Sequence, residues 1–170
     1  MADPTTSDPR PQSFSRIFDA PREMVWKAWT TPEIVMTWWG PKGFTSPVCR
    51  IDLCVGGRFT YAMRAPDGQT FYNGGEFREI VPFEKIIWLW HFADAEGERV
   101  SPAHYGFPHE DREGNLDVIL FEDCGPGRTK LTYTQNDPTA TKEEREGSAE
   151  GFAQIFDKLA DAVAHLATSA

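Results

Sequence analysis

From Thr141 to Leu166 the chain carries one apolar stripe at helical spacing, and this constrains the fold more than any other feature. Phe152, Ile155, Phe156, Leu159, Val163 and Leu166 recur on one side, while Glu150, Asp157, Lys158 and Asp161 stay off it. Thr141 and Glu144 have the spacing of a capping box, which places the helix start and predicts a helix over 141–166. A helix this long with a single apolar face has to lie on a broad apolar surface. The preceding segments must supply it.

Those segments read as strands. Between Gly56-Gly57 and Asp67-Gly68, Phe59, Tyr61 and Met63 alternate with Arg58, Thr60 and Arg64, a period of two that leaves one face apolar. Further strands are expected over 71–81, 85–92, 116–122 and 129–135, the last two joined by the turn Cys124-Gly125-Pro126-Gly127. Short turns imply an antiparallel meander. The 85–92 strand is apolar on both parities, and Ile86, Trp88, Trp90 and Phe92 are assigned inward because they carry the rings. The connection over 94–115, containing His104 and His109, exceeds the roughly 2 to 5 residues of ordinary hairpin loops and reads as a binding loop. Residues 1–12 are proline-rich and nearly devoid of apolar side chains, so a flexible tail is expected, followed by one domain over 13–168. An edge strand over 13–18 opens that domain. Two short helices then start at proline: Pro21 suits a first helical position, with Val25, Ala28 and Trp29 on one face, and Thr31-Pro32 repeats the device. Gly56-Gly57 and Gly74-Gly75 lack the strand and helix context of phosphate loops and read as turns or bulges. Gly151 inside the long helix costs about 1 kcal/mol relative to alanine, which suits a bend or a close approach to the sheet.

The order of motifs also carries a resemblance. FDAPREMVWKAWTTPE (18–33), WWGPKGF (38–44), GGRFTYAMRAPDG (56–68), GGEFREIVPFEKI (74–86), FEDCGPGRTKLTYTQ (121–135) and GFAQIFDKLADAVAHL (151–166) follow one another as in the START-like, birch-pollen-allergen-like superfamily. The branch it resembles is the one named for activators of the heat-shock protein 90 ATPase, over about Ser13 to Leu166. The resemblance implies an α+β helix-grip fold: a curved antiparallel sheet of six or seven strands around a long C-terminal helix, with two short helices after strand one. It also implies that the space between sheet and helix holds a small apolar molecule.

Composition narrows the partners. A net charge of -9 argues against nucleic acid and against anionic membrane surfaces, both of which need basic patches. Cys49, Cys54 and Cys124 are odd in number and contain no CxxC pair, so reduced thiols are expected rather than a disulfide framework. With neither a signal peptide nor an apolar run of about 20 residues, a cytoplasmic location is expected. A homodimer is left open.

No chemistry-bearing spelling stands out. His104 and His109 with Glu110 or Asp111 lack the converging spacing of a metal site, so neither metal nor cofactor is expected. His91, His104 and Glu79 are the titratable candidates for acid or base work, yet none has an evident partner, and no catalytic residue is assigned. Glu76, Glu79 and Glu84 with Arg58, Arg64 and Arg78 read as solvent-facing ion pairs rather than as a buried ligand anchor.

What remains is the set of rings. Aromatic residues mostly fill cores, but a sheet curved around one helix leaves space that large side chains line more easily than fill. The expected ligand-binding residues are Trp39, Phe59, Tyr61, Met63, Phe77, Trp88, Trp90, Phe121, Tyr133, Phe152 and Phe156. Binding of a small hydrophobic or aromatic molecule is the expected function, and an aromatase/cyclase-type enzyme is the alternative. A co-chaperone is expected least: family members that stimulate the chaperone ATPase carry a further domain ahead of this one, whereas a dozen residues precede it here.

Overall fold

The computed structural model describes residues 10–107 and 114–169. Its elements run β1 (Gln12–Phe18), α1 (Arg22–Thr30), α2 (Pro32–Trp38), β2 (Cys49–Ile51), β3 (Arg58–Arg64), β4 (Thr70–Val81), β5 (Lys85–Ala93), β6 (Asn115–Asp123), β7 (Thr129–Gln135) and α3 (Lys142–Ser169), with a 3-10 turn at Pro102–Tyr105. The seven strands form one antiparallel sheet in the order β1-β7-β6-β5-β4-β3-β2. This is the helix-grip arrangement that the strand turns and the single capped stripe imply. The sequence reading missed β2, whose three residues are too few for a period to show.

Local chemistry accounts for each end. Thr141 Oγ1 accepts the Glu144 backbone N–H at 3.2 Å while the Glu144 carboxylate accepts that of Thr141 at 2.7 Å, so the capping box forms in both directions. Pro32 starts α2 behind Thr31, as expected; Pro21 stands one residue before α1 rather than inside it. In β1, Phe14, Arg16 and Phe18 turn toward the core and Ser13, Ser15 and Ile17 toward solvent. Tail residues Arg10 and Gln12 are tied to α3, the first through its carbonyl to the Arg145 guanidinium and the second through its amide to the Arg145 carbonyl.

Curvature comes from β4. The register slips between Phe77 and Glu79, a bulge that bends the strand. Two residues earlier Gly75 adopts φ +156°, and a Cβ there would lie 1.6 Å from the Leu89 carbonyl oxygen and 2.9 Å from the Phe59 ring. Only glycine allows β5 and Phe59 to approach so closely.

The core sits where α1, α2 and the second half of α3 cover the sheet. Trp29 is its hub, with the rings of Trp38, Trp39, Trp88, Phe121 and Tyr133 centred 4.9 to 6.4 Å away. The Trp38 indole N–H donates to the Ala28 carbonyl at 3.0 Å and locks α2 against α1. Lys158 ties α3 to the loop after α2: its Nζ donates to the carbonyls of Gly40 at 3.0 Å and Phe44 at 3.2 Å, and burial pushes its pKa down. Strand charges pair at the surface, as Arg78 with Glu76 and Lys85 with Glu79, and Arg22 of α1 pairs with Glu84 in the turn between β4 and β5. All three cysteines are free; burial, with help from Glu33, pushes the Cys49 thiol up to about 12, whereas Cys54 and Cys124 are exposed. Among the described residues no helix is long and apolar enough to cross a membrane.

Candidate functional site

Where the first half of α3 crosses the sheet, its side chains stop filling the gap. Ser148 and Gly151 occupy half-buried positions where bulky residues stand further along, and a cavity of about 450 Å³ opens beneath them, with the exposed Gly147 at its rim. A Cβ added at Gly147 would meet nothing within 4 Å, and one at Gly151 only the Pro41 ring at 4.0 Å. Of the two readings from sequence, a bend or a close approach of helix to sheet, the close approach is therefore not what requires Gly151. This residue withholds a side chain, and the volume is left open.

The apolar wall consists of Trp39, Met63, Trp90, Phe92, Phe152 and Ile155. Trp90 and Phe92 come from the inward parity of β5, as assigned, and their rings meet edge to face at 5.0 Å. Phe152 lies 4.7 Å from Tyr133 and stacks on Phe14 at 4.5 Å, which fixes it as the wall between cavity and edge strand. Of the residues expected to bind a ligand, the structure brings Trp39, Met63, Trp90, Tyr133 and Phe152 onto the cavity. It places Phe59, Tyr61, Phe77, Trp88, Phe121 and Phe156 behind that wall, each at most 2% exposed and packed ring against ring. The reason is α1 and α2: their tryptophans fill the half of the concave face where those six residues point.

Part of the long connection forms a rim. Asp94 caps the turn after β5 by accepting the N–H groups of Glu96 and Glu98, and the chain returns so that Val100, Pro102 and Phe107 border the cavity. The Tyr105 hydroxyl donates to the Ala93 carbonyl at 2.6 Å and accepts from the Tyr72 N–H at 3.1 Å. Phe107 stacks on Phe92 at 5.3 Å with an interplanar angle of 18°. His109, Glu110 and Asp111 lie outside the described residues.

Two of the polar side chains on the wall, Asp117 and Asn73, are deeply buried. Asp117 is 2% exposed on β6, inward with Ile119 and Phe121. Its Oδ2 accepts the Tyr133 hydroxyl at 2.6 Å and its Oδ1 the Asn136 N–H at 3.0 Å, while the Trp88 indole donates to the Tyr133 oxygen at 3.2 Å. Burial raises the Asp117 pKa to about 7 against the opposing pull of those two hydrogen bonds. Asn73, 4% exposed, and Gln135 also line the cavity, and neither the Asn73 Nδ2 nor the Gln135 Oε1 has a partner. None of the three was singled out from sequence. The available signal was a polar residue on an otherwise apolar parity, Asp117 with Ile119 and Phe121, and Asn73 with Phe71 and Phe77.

The titratable candidates from sequence stand apart from this cluster. Glu79 pairs with Lys85 at 2.9 Å and His104 is exposed. His91 borders the cavity, but its Nδ1 lies 2.9 Å from the Phe92 carbonyl and burial pushes its pKa down. No group of three metal-ligating side chains converges among the described residues.

Comparison with known proteins agrees with this architecture. Residues 19–164 match the family described as Activator of Hsp90 ATPase homolog 1-like protein. None of the curated proteins matches the chain. Among solved structures, a protein from Chromobacterium violaceum is 26% identical, with 90% of this chain and 96% of that one covered at a TM-score of 0.70. A protein from Nitrosomonas europaea is 24% identical over 93% of this chain and 96% of its own, with a TM-score of 0.72. An AHSA1 protein from Silicibacter pomeroyi shares 20% identity over 95% of this chain and all of its own, with a TM-score of 0.69. The chain belongs to the Activator of Hsp90 ATPase homolog 1-like family, in the START-like helix-grip superfamily.

Proposed function

We propose that this protein binds a small hydrophobic or aromatic molecule in the cavity between the sheet and α3. One observation carries the reading: Ser148 and Gly151, small residues where the stripe is otherwise bulky, leave about 450 Å³ open beside Trp39, Trp90, Phe92 and Phe152. Interiors of this kind are normally packed to the density of organic crystals, and a void lined by rings forgoes dispersion contacts that a ligand would restore. The volume lies within the range of about 300 to 1,000 Å³ usual for small-molecule sites. Native mass spectrometry of the protein as purified, together with titration by the neutral dye N-phenyl-1-naphthylamine, tests it. Saturable binding of a single dye molecule, competing with any co-purified compound, is the expected result.

The aromatase/cyclase-type reading has one observation in its favour, the Asp117–Tyr133 pair with its carboxyl poised near neutral pH on the cavity wall. Recovery of a co-purified ligand chemically unaltered after incubation favours the binder. Its conversion, lost in Asp117→Asn, favours the enzyme.

A further inference from the structure

The acidic side chains are the charged groups among the described lining residues. Asp117, Asp137 and Glu144 border the cavity, and among the described lining residues there is neither a lysine nor an arginine. Glu144 and Asp137 are already engaged, the first in the helix cap and the second with Thr139. Asp117 differs. Both of its partners are neutral donors, the Tyr133 hydroxyl and the Asn136 N–H, so its negative charge has no described countercharge.

An ionised carboxyl in such surroundings is costly unless a cation reaches it. A cationic nitrogen entering the cavity meets other suitable groups. Gln135, adjacent on β7 beyond the Val118–Thr134 pair, has an Oε1 without a donor. The rings of Tyr133, Trp90 and Phe152 stand on the same wall, and aromatic faces attract ammonium groups. An anionic amphiphile would instead face three carboxyl groups, with no lysine or arginine among the described lining residues to receive it.

We infer that the ligand is an apolar amine, its aromatic or alicyclic body lying along Trp39, Trp90 and Phe152 and its protonated nitrogen on the Asp117 carboxyl. This rests on the reading that the cavity holds an apolar molecule, and it adds the charge and the anchoring residue. Tyr133 lies against Asp117 from β7 and the charge of Asp137 acts on it from the segment after β7, while Glu144 of α3 and His91 of β5 border the cavity. An ammonium group selects the ionised form of Asp117. Amine affinity should therefore rise with pH up to the point where that carboxyl is fully ionised.

Calorimetric titration with three probes that share a naphthyl body separates the possibilities: 2-(1-naphthyl)ethylamine, 2-(1-naphthyl)ethanol and 1-naphthaleneacetate. The expected order near pH 8 is amine, then alcohol, then carboxylate, with at least about 10-fold between the extremes, as for a charge interaction at low dielectric. In Asp117→Asn the advantage of the amine over the alcohol disappears. In the wild type, amine affinity falls about 10-fold from pH 8 to pH 6 while that of the alcohol does not, a profile that tests the inference even if the variant fails to fold. Carboxylate binding as tight as that of the amine, or an amine preference that survives in folded Asp117→Asn, overturns the inference. Tight alcohol binding with no amine advantage overturns it and leaves the cavity reading standing; failure of all three probes removes both.

Discussion

The Tyr133 hydroxyl donates to the Asp117 carboxyl across 2.6 Å, joining a buried phenol to a buried acid on the wall of the cavity. Because burial raises the Asp117 pKa from an ordinary 3.8 to about 7, the folded protein holds a proton there that the unfolded chain releases. The contribution is fully present below the unfolded value and is lost as pH rises through the folded one. Asn does not titrate. The stability of the wild type minus that of Asp117→Asn should therefore fall by about 4 kcal/mol between roughly pH 4 and pH 8. Urea unfolding of the two proteins at several pH values measures it, and a constant difference would contradict the assignment.

Tyr133→Phe removes the donor to Asp117 and leaves the Trp88 indole N–H without its acceptor. Unsatisfied buried groups of this kind cost roughly 1 to 3 kcal/mol. Since the lost bond favours the ionised carboxyl, the Asp117 pKa should rise further, and the penalty should be larger above neutral pH than below it. Carbon-detected NMR titration of the Asp117 side chain reads the shift directly.

Gly151→Leu is the substitution that tests the cavity with least risk to the fold. The position is helical, with no heavy atom nearer than 4.0 Å to an added Cβ, so helix propensity should stabilise the protein by up to about 1 kcal/mol. The same side chain occupies the volume a ligand would use. Thermal melting should be unchanged or higher, while affinity for N-phenyl-1-naphthylamine falls at least about 10-fold, the scale of one lost bulky apolar contact.

Lys158→Met keeps the aliphatic stem but withdraws the ammonium from the carbonyls of Gly40, Pro41 and Phe44. A loss of about 1 to 3 kcal/mol is expected from chemical denaturation, because these acceptors then lack their charged donor. Gly40 cannot readily compensate. Its φ of +98° favours glycine, and a Cβ there would meet the Phe44 Cβ at 3.1 Å and the Met63 Cβ at 3.2 Å, so the loop depends on glycine at this position.

The parts legible in the sequence were those written by period and by turn chemistry. Phe59, Tyr61 and Met63 announced β3, and Thr141 with Glu144 announced the start of α3, because each pattern is local and repeats within a few residues. The division between core and cavity was not local. Tyr61 and Trp90 both point inward, yet Tyr61 is covered by Trp39 of the loop after α2 and Trp90 is not covered, a difference set by where two short helices dock. Asp117 was passed over because a lone acid in a strand reads as surface charge until its neighbours' facing is known. Gly151 was noticed as an anomaly, but its cause lies in the emptiness opposite it, which a linear pattern does not contain.

The central claim is that a small apolar molecule occupies this cavity, and the tryptophan indole signals of an amide NMR spectrum test it most directly. Trp39 and Trp90 line the cavity, whereas Trp26 packs against Phe83 and Phe121 away from it. Titration with N-phenyl-1-naphthylamine should shift the Trp39 and Trp90 indole peaks to saturation at a single equivalent, leave Trp26 in place, and produce no such shifts in Gly151→Leu. Indole peaks that do not move, or that move equally in Gly151→Leu, would contradict it.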